Sequence, residues 1–311
     1  MELDKTAIVL RQRSLLDLID LSLVVLRVYW KPLLCYSALG VIPFLLINFF
    51  VLRPIHDYDS ILSYDNPILE ELPLRIRYVL FLAGLVFIQT PIAMLGVTYY
   101  LGEALFLKQP SFREFGTTIL KGLAGLLLIL GFFRFGIIAF FAVALVAGNV
   151  DFNPAVEVFW LGIVLCGLIL SVRAFGPFAP EILILEQSPL RSKSSAKIVQ
   201  SLSYYQRSKL LHRQMYSDLF GRMLAFSLAI LMTLTAITLS ELLIGGIFFG
   251  VWTWEWWTDM IVFPLNLWLV ALWGTVFRFL SYLDCRTRLE GWELDLRLKA
   301  EARRLSGATA G

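Results

Sequence analysis

Histidine occurs only twice in these 311 residues, as His56 and His212, and neither has a partner at metal-ligand spacing. The six long apolar stretches of the chain contain none. A membrane-embedded Ser–His dyad or a His-ligated intramembrane metalloprotease would therefore lack its base or its ligand. No Asp falls within the apolar core of a stretch, which removes a paired-aspartate dyad. There is no P-loop, no G-x-S-x-G and no dinucleotide fingerprint. Cysteine is limited to Cys35, Cys166 and Cys285, with no CxxC, so a disulfide framework is not supported. No catalytic residue, metal ligand or cofactor is expected, and catalysis by a side-chain triad or a metal is the least favoured class of function.

Apolar length is abundant instead. Hydrophobic residues make up 58% of the chain and the mean hydropathy is +0.74. The stretches lie near 33–52, 78–104, 117–147, 156–186, 222–249 and 261–284. Each is long enough as a helix to cross the ~30 Å hydrocarbon core, which takes about 20 residues. The expected fold is all-α and polytopic, with a cytoplasmic amphipathic helix over 1–32, a six-helix bundle over 33–284 and a cytoplasmic tail over 285–311.

Charge sets the expected orientation, because Lys and Arg near span ends are retained in the cytoplasm. Lys5, Arg11, Arg13, Arg27 and Lys31 precede span 1, and Lys108, Arg113 and Lys121 follow span 2. The loop after span 4 runs from Arg191 to Arg222 through Lys193, Lys197, Arg207, Lys209 and Arg213, and the tail adds Arg286, Arg288, Arg297, Lys299, Arg303 and Arg304. The opposite side has Arg53, Arg75 and Arg77 in a loop that also holds five acids. Six spans alternate consistently with this pattern. The expectation is a multi-pass protein of the cell (inner) membrane with both termini cytoplasmic. Its net charge of +3 favours anionic lipid headgroups at the cytoplasmic face over nucleic acid.

Before span 1, Arg13, Asp17, Asp20, Arg27 and Lys31 recur at three- to four-residue spacing around Val24, a narrow polar stripe on an otherwise apolar helix. Ser14 can cap its start and Pro32 suits the first turn of the next helix. An interfacial helix in the headgroup plane fits this pattern, and so does a bundle helix with a solvated edge. Ser111 with Glu114, and Ser188 with Pro189, mark further helix starts. The basic 187–221 connection is either a docking surface for anionic lipid or a protein partner, or a plain solvated loop. Trp252, Trp254, Trp256 and Trp257 form an aromatic belt at the outer end of spans 5 and 6. The tail alternates Trp292, Leu294, Leu296 and Leu298 with charged residues, a period that argues for a strand, while its Lys, Arg, Ala and Leu content argues for a helix broken at Gly291, the reading preferred.

Ionisable residues at membrane depth are functional candidates by default. Here they are Arg134, Arg173, Glu181, Glu186, Glu241 and Arg278. Depth matching pairs Arg134 or Arg173 with Glu241, and Glu181 with Arg278 or Lys121. Pro177 and Pro180 should break span 4, and Pro91 can bend span 2. Charges around a broken helix are one way carriers build a midplane site; alternatively they clamp the bundle and the prolines only bend it.

Three segments carry a resemblance. They are Ser14 through Leu18-Ile19-Asp20 to Leu26-Arg27-Val28-Tyr29-Trp30-Lys31-Pro32-Leu33; Leu101, Leu105, Lys108, Pro110-Ser111-Phe112 and Glu114; and Tyr282, Asp284, Arg286, Arg288, Glu290-Gly291 and Leu294. Together they resemble the bacterial six-helix family of the membrane domain of glycerophosphoryl diester phosphodiesterases. Glu186 matches that family's Glu at the end of span 4, and Lys193-Ser194 stands where the family has Arg-Ser. The resemblance implies a stand-alone membrane module rather than an esterase. The expected function is a non-enzymatic scaffold or accessory subunit with a basic cytoplasmic face. The alternative is a carrier or lipid-handling protein using Arg134, Arg173, Glu181 and Glu241 around the Pro177/Pro180 break.

Overall fold

The structure, a computed structural model, describes residues 12–65, 71–105, 113–119, 129, 159–160, 162–163, 178–188, 203–213, 215–250 and 256–291. Among these there is no strand. Four helices are long and apolar enough to cross a membrane: Trp30–Arg53, Ile76–Ala93, Tyr216–Phe249 and Thr258–Leu289. They fall on expected spans 1, 2, 5 and 6. Most of the expected spans over 117–147 and 156–186 lies outside the described residues, as do the Ser111 cap, Pro189, Trp252, Trp254 and the tail beyond Gly291.

Helix α1 (Leu15–Val28) starts with a capping box in which Ser14 and Asp17 satisfy each other's backbone N–H groups. It buries Leu18, Ser22 and Val25 against the C-terminal helix and leaves Asp17, Asp20 and Arg27 exposed. Leu16 and Leu23, seven apart, are exposed apolar residues of the same helix, and Trp30 and Lys31 just past its end are exposed too. A bend at Tyr29 leads into α2 (Trp30–Asp65), with Pro32 in its first turn. α3 (Glu71–Ala93) carries Pro91 in its last turn, and a one-residue turn at Met94 separates it from α4 (Leu95–Leu105). Helical bonding continues through that turn, Met94 N–H donating to the Thr90 carbonyl at 2.9 Å and Thr98 N–H to the Met94 carbonyl at 3.1 Å, while Pro91 itself has no N–H to give to the turn before it.

α2 runs antiparallel to α3 and α4. The two backbones approach so closely at Gly40 that an added Cβ would lie 1.9 Å from the carbonyl oxygen of Ala93. Glycine is what permits that contact. Asn48 and Gln89, both buried, exchange amide hydrogen bonds at 2.7 and 2.9 Å across the same interface.

After α5 (Ala179–Ile184) and α6 (Tyr204–Arg213) comes α7 (Tyr216–Phe249), closed by Gly250 at φ +69°. A π-helical turn (Thr258–Val262) with exposed Trp256 and Trp257 beside it then opens α8 (Phe263–Leu289). α8 is the central strut. It packs against α1, α3, α4 and α7 and ends at Gly291, whose φ of +64° breaks the helix at the expected residue. On α8, Phe277 stacks on Phe226 of α7 with ring centroids 3.8 Å apart, and Trp273 donates to the buried Ser22 hydroxyl of α1 at 2.8 Å.

Candidate functional site

The last three turns of α8 concentrate the polar groups. Arg278, Tyr282, Arg286 and Glu290 are spaced four apart and share one face, as the helical period requires. Asp284 and Arg288 occupy a second face. Each face meets a different set of elements.

On the first face, Arg278 Nε donates to Glu181 Oε1 of α5 at 2.7 Å. Pro180 sits in the first turn of α5 and starts this short helix after Phe178, which places Glu181 with no exposed surface. Glu186, just beyond α5, accepts from the Tyr282 hydroxyl at 2.5 Å. It also accepts a fork from Arg207 of α6, Nε to Oε2 at 2.6 Å and Nη2 to Oε1 at 2.8 Å. Paired N–H donors of this kind are the strongest ordinary ion-pair geometry. Arg207 also reaches Glu290, which Arg286 holds from its own helix at 2.8 Å. α6 is positioned for this by a second capping box, Ser203 with Gln206, and by Leu211 buried against the bundle.

On the second face, Asp284 accepts from Arg222 Nη1 of α7 at 2.6 Å, from Arg288 Nε at 2.8 Å and from the Arg13 backbone N–H at 2.8 Å. Arg288 then donates to the Arg13 carbonyl at 2.7 Å. Arg222 also meets Asp218, one turn earlier. Asp284 and Arg222 are buried.

These contacts tie four other pieces of chain to one end of α8: the segment before α1, the residues around α5, α6 and α7. The charges balance on each face. Glu181, Glu186 and Glu290 stand against Arg278, Arg207 and Arg286, and Asp284 and Asp218 against Arg222 and Arg288. Burial disfavours ionised Glu290, but the guanidiniums of Arg286 and Arg207 outweigh it and hold the carboxyl below its ordinary range. The same carboxylates keep Arg207 firmly protonated against its own burial.

No family model matches the chain, and no curated protein or solved structure matches it.

The depth-matched candidates fall out unevenly. Glu181 meets Arg278. Glu241 accepts from the Asn266 amide of α8 at 2.8 and 2.9 Å. Arg134, Arg173, Lys121 and Pro177 lie outside the described residues. Sequence reading did not assemble Glu186, Arg207, Tyr282, Arg286 and Glu290, or Arg222 with Asp284. Two signals for them were present: the four-residue spacing along α8, and the Ser203-x-x-Gln206 cap that fixes the start of α6.

Most of the cluster's polar groups are engaged with one another. The Tyr282 hydroxyl is engaged with Glu186 and Arg286, and each carboxylate named above faces at least one donor. Among the described residues no group of three or more His, Cys, Asp and Glu could hold a metal. Three buried atoms around the Glu181–Arg278 pair stand without a hydrogen-bond partner among the described residues: Glu181 Oε2, Arg278 Nη2 and Ser281 Oγ.

Proposed function

We propose that this is a non-enzymatic, six-span inner-membrane protein with both termini cytoplasmic, acting as a scaffold or accessory subunit. The observation that carries this reading is the charge-balanced clamp on α8. It binds the N-terminal segment, α5, α6, α7 and α8 into one fixed surface at the basic end, with its ionised side chains engaged with each other. A rigid face built this way suits docking of a protein partner, and the rest of the basic 187–221 connection and the tail would contact it. Under the resemblance to the phosphodiesterase membrane domain, the chain corresponds to such a membrane module.

The test is affinity purification from native membranes of the full chain and of a version ending at Gly291, which keeps Glu290 in the clamp. A stoichiometric partner recovered with the full chain and lost on truncation supports the scaffold. Recovery of no partner with either form sinks it.

A second reading, a carrier or lipid-handling protein, draws on the unmatched Glu181 Oε2, Arg278 Nη2 and Ser281 Oγ, and on Glu241 facing only a neutral amide among the described residues. Buried polar atoms without partners are where a hydroxylic or water-borne ligand would bind. Native mass spectrometry of the detergent-extracted protein would then show a small molecule that disappears in Glu181→Gln or Ser281→Ala at unchanged protein level. If the protein level falls instead, the pair is structural and this reading fails.

A further inference from the structure

The face of α6 turned away from the clamp has its own chemistry. Tyr204, Arg207 and Leu211 turn toward the bundle, whereas Tyr205, Lys209 and Arg213, four apart, share the exposed side with Leu210. α6 contains no acidic residue. Lys209 and Arg213 form no ion pair among the described residues. Beyond the turn at Met215, Tyr216 is exposed, and from Leu224 onward the exposed side of α7 becomes apolar. Leu224, Leu228 and Leu231, spaced four and three apart, are 49%, 56% and 60% exposed and line one face. Cations and tyrosines thus give way within a few turns to a bare leucine stripe.

That sequence of surfaces matches one amphiphile. We infer that the α6–α7 junction is a docking site for an anionic phospholipid. The headgroup phosphate lies against Lys209 and Arg213, Tyr205 and Tyr216 occupy the headgroup–glycerol layer, and an acyl chain runs along Leu224, Leu228 and Leu231. Charge complementarity selects the headgroup, tyrosine favours that boundary layer, and the stripe excludes a purely polar occupant such as a nucleic acid. α1 provides the contrast. Its exposed Arg27, with Lys31 just past its end, accompanies the exposed Asp17 and Asp20, so this region presents no comparable positive face. The inference rests on α7 lying in a bilayer, which is measured separately as resistance to alkaline carbonate extraction.

The full chain is reconstituted in vesicles of equal phosphatidylglycerol and phosphatidylcholine, extracted in mild detergent, and its retained lipids are counted by native mass spectrometry. The wild type should retain phosphatidylglycerol preferentially. The pair K209Q/R213Q should lose that preference by about tenfold or more, the effect of removing two cations at a membrane surface. K209R/R213K should keep it, and so should R27Q/K31Q, which removes the same charge from the end of α1 and the start of α2. If the double variant does not accumulate, K209Q and R213Q singly should each lose part of the preference. Equal retention of both lipids by the wild type, an equal loss in R27Q/K31Q, or a co-purified protein lost from K209Q/R213Q in place of lipid would each overturn the site. A chain released by carbonate fails at the prior step, and the lipid site falls with it.

Discussion

α7 and α8 are almost equally apolar and both long enough to cross a bilayer, yet 11% of the most apolar part of α7 is buried in the fold and 56% of that of α8. The difference lies in where their polar side chains point. On α7, Ser227, Thr235, Thr238 and Ser240 donate to carbonyls one turn back in their own helix, so they require no neighbour. On α8, Asn266, Trp273, Arg278, Tyr282 and Asp284 reach out of the helix to partners on α7, α1 and the residues around α5. Apolar length decides which helices can enter a membrane; the direction of a few polar groups decides which one becomes the core.

The sharpest way to break that comparison is at Asp284. Asp284→Ala leaves the Arg13 N–H without its acceptor and the buried Arg222 with only the exposed Asp218, and losing one partner of a buried ion pair costs about 3–5 kcal/mol. The expected outcome is a large fall in thermal stability in detergent and in accumulated protein. Asp284→Ala combined with Arg222→Met should recover much of it, because no buried charge is then stranded at that contact. A double variant no better than the single would mean that the polar reach of α8 does not hold it in the core.

Close packing gives the next contrast. At Gly40 a Cβ would collide with the Ala93 backbone, while at Gly221 of α7 a Cβ would meet nothing within 4 Å. Gly40→Ala should destabilise by roughly 1–3 kcal/mol, in the range of overpacked cores. Gly221→Ala should be neutral or slightly stabilising, since alanine favours the helix. Melting curves of the two variants side by side check this, and equal losses would contradict the tight α2–α3 contact.

A smaller effect belongs to the amide pair. Removing the Asn48–Gln89 exchange with Asn48→Ala should cost about 1 kcal/mol, as for interhelical hydrogen bonds within membranes. A double-mutant cycle with Gln89→Ala measures the coupling itself, and a coupling of zero would show that burial alone holds α2 to α3.

Acid should loosen the basic end before the rest. Glu290's carboxyl is held below its ordinary range, so its ion pairs stabilise the fold at pH above the unfolded-state value of about 4.3, and that contribution is lost as pH falls through the lower folded value. Glu290→Gln should flatten this part of the stability–pH curve below about pH 4. An unchanged slope would remove Glu290 from the clamp.

Much of this was legible in the residues. Apolar length located all four described helices that are long enough to cross a membrane, Gly291 marked the end of α8, and Ser14 capped α1. Glu181 and Arg278 could be matched by depth because each lies at a fixed distance from its span end. The clamp was not legible. Arg207 and Glu186 are 21 residues apart across a connection with no periodic signal, and only the docking of α6 brings them to Tyr282 and Glu290. The irregular turn at Met94 was half visible: Pro91 signals a bend, but periodicity does not say which residue leaves the helical pattern.

The smallest expected effect tests the other half of the comparison. If the α7 hydroxyls are satisfied by their own helix, Thr235→Val and Ser240→Ala remove a local bond and no contact with another element, since both side chains are exposed. Each variant should shift stability by no more than about 0.5 kcal/mol, the ordinary range for surface substitutions, and should leave retained lipid and partner unchanged. A clear destabilisation at either position would mean that this face of α7 packs against something outside the described residues. The low burial of α7 would then measure an unfilled contact rather than a lipid-facing helix.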